Sequence, residues 1–100
     1  MENRLGGESD TKALRIRIRG RVQGVGFRFH AVRLAEEHGI SGWVRNNPDG
    51  TVESFAEGEE RVLDRFLEGL REGPSASRVD DVEIRETDPS GELSGFRVRY

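Results

Sequence analysis

The chain contains no cysteine and no long hydrophobic run. The missing cysteine excludes disulfide bonds, thiol catalysis and metal sites built on thiolates. A membrane-spanning helix needs about 20 consecutive apolar residues, and neither such a run nor the core of a signal peptide occurs. We therefore expect a cytoplasmic protein.

The chain also lacks a strong excess of charge of either sign. Its 16 Lys and Arg against 19 Asp and Glu give a net charge of −3, which provides no general attraction to nucleic acid or anionic lipid. The two histidines, His30 and His38, are not separated by the four positions that let two helical side chains share a metal ion. We expect no metal site, with His30 on the surface and His38 packing at a helix end.

Apolar residues are present in periodic patterns that suit a single domain of 100 residues. Residues 1–12 are polar and without periodicity, which predicts a disordered N-terminal tail, and residues 13–100 are predicted to form the domain. The predicted elements, in order, are a strand at 14–19, a helix at about 28–38, strands at 40–46 and 51–56, a helix beginning within the acidic residues 57–60 and ending at 73–74, and strands around 79–84 and at 96–100. This order predicts an α+β fold of the ferredoxin-like, split βαβ type, with two helices on one face of an antiparallel sheet.

Several single residues within these elements carry expectations of their own. The run from Asn47 to Gly50 predicts a β-turn, in which Asp49 bonds locally. Gly69 interrupts a helical pattern, which indicates close packing at that point. Trp43 and Phe55 are predicted to pack together across a hairpin, on the sheet face that the helices leave uncovered.

The stretch from Gly20 to Arg28 joins the first strand to the first helix and contains three glycines within seven positions. A glycine-rich turn lets backbone N–H groups point into one concavity, and a helix start adds free N–H groups and partial positive charge. Arg28 lies at the positive end of the helix dipole, a placement that makes sense if an anion binds there. The plainer alternatives are a tight connection without a ligand and a pairing of Arg28 with Glu36.

This stretch, together with Gly42 to Asn46 and Asp49 to Glu53, resembles the acylphosphatase family. The second half of the chain agrees with the family as well, through to the closing residues 96–100. The resemblance covers roughly residues 13–100, and the departures lie in the N-terminal tail and at Ser54, where a polar residue falls on the core face of a strand.

The resemblance implies hydrolysis of the carboxyl–phosphate bond of acyl phosphates, without metal or organic cofactor. It implies that Arg28 binds the phosphate and that Asn46 positions the attacking water. The implied phosphate-binding residues are Val22, Gln23, Gly24, Val25, Gly26, Phe27 and Arg28. The implied small-molecule partners are an acyl phosphate as substrate and inorganic phosphate as product and inhibitor, and we expect a monomer with no membrane partner.

The residues in these motifs suit that chemistry. A carboxylate is a good leaving group, so that no strong general acid is needed, and the motifs supply none. Positioned N–H donors and a guanidinium stabilise the charge on the phosphoryl oxygens in the transition state. An asparagine side chain both accepts and donates hydrogen bonds, and it can therefore hold a water molecule in line. The plainer role for Asn46 and Asn47 is to start the turn, and for Asn47 that role is the better interpretation.

A rival hypothesis rests on the uncovered sheet face. There Trp43 and Phe55 share the sheet with a group of arginines, namely Arg15, Arg17, Arg19, Arg97 and Arg99. RNA-binding modules of similar topology use a basic sheet with stacking aromatics. Glu53 and Glu83 are placed to neutralise several of these arginines by cross-strand pairing. A further alternative is a structural or regulatory domain that has kept the phosphate cradle and lost turnover. A related fold also serves as the N-terminal domain of carbamoyl-transferring hydrogenase-maturation proteins.

Overall fold

The computed structural model describes residues 11–91 and 94–100. The predicted disordered tail lies outside the described residues up to position 10. The described part of the chain forms five strands and two helices: β1 (Thr11–Arg21), α1 (Phe27–His38), β2 (Ser41–Asn46), β3 (Val52–Glu59), α2 (Glu60–Glu72), β4 (Arg78–Thr87) and β5 (Phe96–Val98).

The strands form one sheet in the order β4-β1-β3-β2-β5. The pairs β1–β3, β1–β4 and β2–β3 are antiparallel, whereas β5 runs parallel to β2. The ferredoxin-like α+β fold is therefore confirmed, but the prediction of a wholly antiparallel sheet is wrong at its edge. The reason is topological: β4 ends at one edge, and the chain crosses to the other edge before β5 begins alongside β2.

The hydrophobic core lies between the helices and one face of the sheet. On β1, Leu14, Ile16 and Ile18 are buried while their neighbours Arg15 and Arg19 are exposed, as the alternation predicts. The predicted weak point at Ser54 is fully buried, and its hydroxyl donates to the backbone oxygen of Trp43 at 2.8 Å. The other core residues come from both helices and the remaining strands, and they include Ala31, Ala35, Val44, Val52, Ala56, Leu63, Phe66, Leu67, Leu70 and Phe96.

The two helices approach each other closely at Gly69, as its position within a helical pattern predicts. A Cβ atom at Gly69 would lie 2.6 Å from Leu34 Cδ1. His30 uses the same close approach, because its Nε2 lies 2.9 Å from the backbone oxygen of Gly69 and its ring contacts Phe27 edge-on. The prediction of His30 as a surface residue is wrong, since its side chain is partly buried between the helices.

Two element boundaries also differ from the predicted ones. β1 begins at Thr11, which pairs with Glu59, so that residues 11 and 12 belong to the sheet rather than to the tail. β3 continues to Glu59, and α2 begins only at Glu60. The carboxylate of Glu57 accepts hydrogen bonds from Ser90 and Gly91, and these contacts keep an acidic residue in the strand and buried.

The sheet face opposite the helices carries a small apolar cluster under a layer of charged residues. Trp43 and Phe55 stack across the β2–β3 hairpin with ring centroids 6.5 Å apart, which confirms their predicted packing. Both rings are buried, and the guanidinium groups of Arg15, Arg45 and Arg99 lie 4.8–5.4 Å from the Trp43 ring centroid. We call this surface the arginine face.

Candidate active site

Residues 22–26 connect β1 to α1 and form the glycine loop that the sequence singles out. Gly24 and Gly26 have φ angles of 75° and 81°, in the left-handed region that favours glycine. A Cβ atom at either position would meet no atom within 4 Å, so that the space above the loop is open to a ligand. The ends of the loop are fixed by Val22 and Phe27, which are buried in the core.

The start of α1 presents unpaired backbone donors beside this loop. The first helical hydrogen bond runs from His30 N to Gly26 O at 3.0 Å. The N–H groups of Phe27, Arg28 and Phe29 therefore have no acceptor within the helix, and no side chain caps the helix start. The positive end of the helix dipole adds to the attraction for an anion.

Arg28 lies in the first turn of α1, and its guanidinium group is not engaged by an acid. None of the described carboxylates lies within 4 Å of it, so that the alternative pairing with Glu36 does not occur. Its nearest aromatic contact is Tyr100, whose ring centroid lies 5.5 Å from Arg28 Cζ. The planar fork of the guanidinium group is therefore available for bidentate binding of an anion.

Asn46 is the last residue of β2, and its side chain reaches the same pocket as Arg28. Its Oδ1 atom is buried and accepts no hydrogen bond from the described residues. Because a buried acceptor without a partner costs free energy, such an atom in a pocket indicates a place where a ligand or a water molecule binds.

The pocket has a volume of about 330 Å³ and unites most of the predicted site residues. Val22, Gly24, Gly26, Phe27, Arg28 and Asn46 line it. Gln23 and Val25 are not among the lining residues. Val25 instead packs against the core.

Gln23 ties the glycine loop to the neighbouring hairpin. Its Nε2 donates to the backbone oxygens of Asn47 at 2.8 Å and Thr51 at 2.9 Å. These bonds connect the loop before Arg28 to the turn after Asn46. Gln23 therefore acts on the geometry of the pocket through its side chain rather than by lining the pocket.

The turn that follows Asn46 is held by a local network of hydrogen bonds. The side chain of Asp49 accepts from the backbone N–H and the hydroxyl of Thr51 at 3.0 and 2.7 Å, and these bonds lower the pKa of the Asp49 carboxyl. Asn47 donates from its Nδ2 to Thr51 Oγ1 and Glu53 Oε1 at 3.0 and 3.3 Å. The predicted turn role of Asn47 is confirmed, and Asn46 is left with its side chain in the pocket.

The remaining lining residues are apolar or aromatic, and the sequence patterns do not single them out for the site. They are Phe29, Val32, Val98 and Tyr100. The one available signal was Phe29, a large hydrophobic residue that stands off the buried stripe of α1.

A metal site and a membrane-spanning helix are both missing from the described residues. Within residues 11–91 and 94–100, no three His, Asp or Glu side chains come together in a group able to hold a metal ion. Neither of the described helices is long and apolar enough to cross a membrane.

The comparisons with known proteins agree on one family. The Acylphosphatase family model matches residues 14–98. A curated protein from Rubrobacter xylanophilus named Acylphosphatase is 48% identical over 89 residues, which cover 89% of this chain and 81% of the relative. A Bacillus licheniformis protein of the same name is 49% identical over 86 residues, covering 86% of this chain and 96% of the relative.

Solved structures support the same family and bear on the alternative functions considered from the sequence. The crystal structure of acylphosphatase from Bacillus subtilis superposes with a TM-score of 0.86 at 38% identity, covering 89% of this chain and 99% of that one. Full-length HypF in a phosphate- and nucleotide-bound form matches with a TM-score of 0.84 at 33% identity, over 90% of this chain but only 12% of HypF. The RNA-binding alternative finds no support in these matches, and the two aromatic residues on which it rests, Trp43 and Phe55, are buried, so that neither offers an exposed ring on which a base could stack. The family model spans most of the chain, and this protein therefore belongs to the acylphosphatase family.

Proposed function

We propose that this protein hydrolyses the carboxyl–phosphate bond of acyl phosphates, releasing a carboxylate and inorganic phosphate. The observation that carries the proposal is the meeting of Arg28 and Asn46 in one pocket beside the open glycine loop. Family membership supports the same activity, since the curated relatives carry the name Acylphosphatase.

In this proposal the glycine loop and Arg28 bind the phosphoryl group. The backbone N–H groups of residues 22–27 and of the first turn of α1 donate to its oxygens. The Arg28 fork grips two oxygens from the side, because no ion pair with a described carboxylate competes for it. These donors are fixed before the substrate arrives, so that they stabilise the charge of the transition state with little reorganisation.

Asn46 positions the nucleophile. Its buried Oδ1 accepts a hydrogen bond from a water molecule, and its Nδ2 is available to the phosphoryl oxygens. The water oxygen forms a bond to phosphorus while the bond from phosphorus to the acyl oxygen breaks, and the acyl group leaves as a carboxylate. No Asp, Glu or His is among the described lining residues, and we assign the proton of the water to a phosphate oxygen of the substrate itself.

Several finer statements are part of the same proposal. The protein works without a metal or organic cofactor, as a monomer, in the cytoplasm. Inorganic phosphate binds the same pocket as a competitive inhibitor and stabilises the fold, because it binds only the folded state.

The decisive experiment is a hydrolysis assay with acetyl phosphate and benzoyl phosphate in EDTA, run on the wild type and on the Arg28→Ala variant. We expect turnover by the wild type, almost none by the variant, and competitive inhibition by inorganic phosphate. A folded wild-type protein that hydrolyses neither substrate would overturn the proposed function. A variant with undiminished turnover would overturn the role of Arg28.

A further inference from the structure

The pocket that contains Arg28 and Asn46 has two chemically distinct sides. One side consists of Gly24, Gly26, Arg28 and Asn46, which supply N–H groups, a positive charge and an amide. The other side is an apolar wall formed by Phe29, Val32, Val98 and Tyr100. The phosphoryl group needs only the first side, and the proposed mechanism leaves the apolar wall without a role.

The apolar wall is unusual because two of its four side chains are exposed, while Val32 and Val98 are partly buried against the core. Within the described residues, the large hydrophobic side chains on the surface are Phe29, Ile84 and Tyr100, and two of these three belong to the wall. Phe29 is 69% exposed and Tyr100 fully exposed, although both have apolar rings. Exposed hydrophobic residues concentrated beside a polar site indicate a surface that binds something apolar.

The wall is built on two elements that approach from either side of Arg28. Phe29 and Val32 are three residues apart on α1 and therefore share one side of the helix. Val98 ends β5, and Tyr100 follows two positions later with its ring 5.5 Å from the Arg28 guanidinium. The wall is therefore continuous with the cation that is proposed to hold the phosphate.

We propose that the apolar wall binds the acyl group of the substrate and selects acyl phosphates whose acyl group is aromatic or otherwise bulky and apolar. This inference rests on the proposed function, because the phosphoryl group must occupy the polar side for its acyl group to reach the wall. A pocket of about 330 Å³ falls in the range of small-molecule sites, about 300–1,000 Å³, and has room for a group beyond phosphate.

The charges around the pocket indicate which acyl groups are disfavoured. Arg28 is the single charged residue among the described lining residues, and the phosphoryl group already engages it. A second anionic group on the acyl portion would lie against Phe29 and Tyr100 without a cation to pair with, at the cost of losing its hydration. Acyl phosphates that carry a further carboxylate or phosphate are therefore expected to be poorer substrates than uncharged aromatic ones.

The test compares acetyl, benzoyl and 4-carboxybenzoyl phosphate in the wild type, in Phe29→Ala and in the control Ile84→Ala. Ile84 is also an exposed apolar residue, but it lies on β4 and outside this pocket. We expect kcat/KM of the wild type to be highest for benzoyl phosphate. Phe29→Ala should lower kcat/KM for benzoyl phosphate by about 5–10-fold, mainly through KM, and change that for acetyl phosphate by less than about twofold. Ile84→Ala should change neither value.

A second variant guards against an indirect effect of Phe29 on its neighbour Arg28. Tyr100→Leu keeps an apolar side chain in the wall but removes the ring, and it should lower the preference for benzoyl over acetyl phosphate in the same direction. Equal losses on both substrates, or no change in the benzoyl-to-acetyl ratio in either variant, would overturn the inference. So would equal turnover of benzoyl and 4-carboxybenzoyl phosphate.

Binding of the acyl group by the apolar wall can be tested even if the protein does not hydrolyse acyl phosphates. If the wild type hydrolyses none of the three substrates, the wall is tested by binding of benzoylphosphonate, a stable analogue, in isothermal titration calorimetry. Weaker binding by Phe29→Ala than by Ile84→Ala would still support the wall, and equal binding would reject it.

Discussion

Among the described residues, arginines line a depression on the arginine face and another beside the glycine loop, and the charges around these arginines differ. The larger, about 630 Å³, lies on the arginine face, and its charged lining residues are Arg15, Arg17, Arg19, Arg85, Glu53, Glu83 and Glu86. Three of these arginines, Arg15, Arg17 and Arg19, lie within 4 Å of a carboxylate, with distances of 3.1 Å for Arg15–Glu53 and 3.3 Å for Arg19–Glu83. The smaller depression, beside the glycine loop, holds Arg28 alone and no described carboxylate.

This difference shows that the number of arginines is a poor guide to function. On the arginine face Arg15 and Arg45 are both paired with the buried Glu53, and both lie over the Trp43 ring. At the glycine loop a single cation faces free N–H groups and an unpartnered Asn46 oxygen. An anion therefore gains more from one unpaired guanidinium at a helix start than from several that are already paired.

The largest effect should come from exchanging the type of cation in each region. Arg28→Lys should lower kcat/KM on acyl phosphates about 10³-fold or more, because a point charge does not reproduce the bidentate fork. Arg15→Lys, the matched change on the arginine face, should leave turnover unchanged. Steady-state kinetics on the two purified variants make this comparison, and similar losses in both would erase the distinction between the regions.

The neighbouring asparagines offer a second contrast within the same turn. Asn46→Ala should lower kcat about 10²-fold without unfolding the protein, since its Oδ1 bonds to no described residue. Asn47→Ala removes hydrogen bonds to Thr51 and Glu53 and should cost about 1 kcal/mol of stability with a smaller loss of kcat. Urea unfolding and kinetics on both variants test this division, which a destabilised Asn46→Ala protein would contradict.

On the arginine face the important carboxylate is Glu53, and its removal should affect stability rather than catalysis. Burial raises the pKa of the Glu53 carboxyl, but hydrogen bonds from Arg45 and Asn47 and the charges of Arg45 and Arg15 outweigh it, so that its pKa lies below the usual 4.5. The charged form therefore stabilises the fold above about pH 4.5, and this contribution is lost as the pH falls through the lowered pKa.

Glu53→Gln should accordingly cost about 2 kcal/mol at pH 7, and the difference from the wild type should shrink below pH 4.5. Urea denaturation at pH 7 and at pH 3.5 measures both values, and kcat for an acyl phosphate at pH 7 should stay near that of the wild type. A gap that stays constant with pH would mean that the charge of Glu53 is unimportant.

The smallest of these effects should come from Gln23, which links the glycine loop to the turn after Asn46. Gln23→Ala should cost about 1 kcal/mol of stability, because the freed oxygens of Asn47 and Thr51 keep their bonds from Gly50 and Asn47. It should also lower kcat/KM about tenfold, since the glycine loop and Asn46 are then no longer held in a fixed position relative to each other. Unchanged kinetics with the stability loss intact would show that Gln23 supports the fold alone.

The parts of the fold that follow a local period were predictable from the sequence. The alternation of Leu14, Ile16 and Ile18 predicted β1, and the turn residues between Asn47 and Gly50 predicted the β2–β3 hairpin. Glu57 was placed in the wrong element because its burial depends on Ser90 and Gly91, more than 30 residues away. His30 was misjudged for the same reason, since its partner Gly69 belongs to the other helix.

The candidate site also has features that the sequence predicted and features that depend on the packing of distant elements. The glycine spacing and the position of Arg28 predicted an anion site, and the family resemblance added Asn46. The co-location of Arg28 with Asn46, and the indirect position of Gln23, follow from how β1, α1 and the hairpin pack. The apolar wall escaped notice because Phe29, Val98 and Tyr100 are ordinary residues until α1 and β5 bring them together.

The sequence by itself determined the order of strands and helices, the open glycine loop and the presence of a cation at the start of α1, because these depend on neighbouring residues along the chain. Only the tertiary structure decided which arginines are neutralised by carboxylates, and that Arg28 is not one of them. The reason is that ion pairs such as Arg15–Glu53 and Arg19–Glu83 join strands that are distant in the chain, and their formation depends on the register of the sheet.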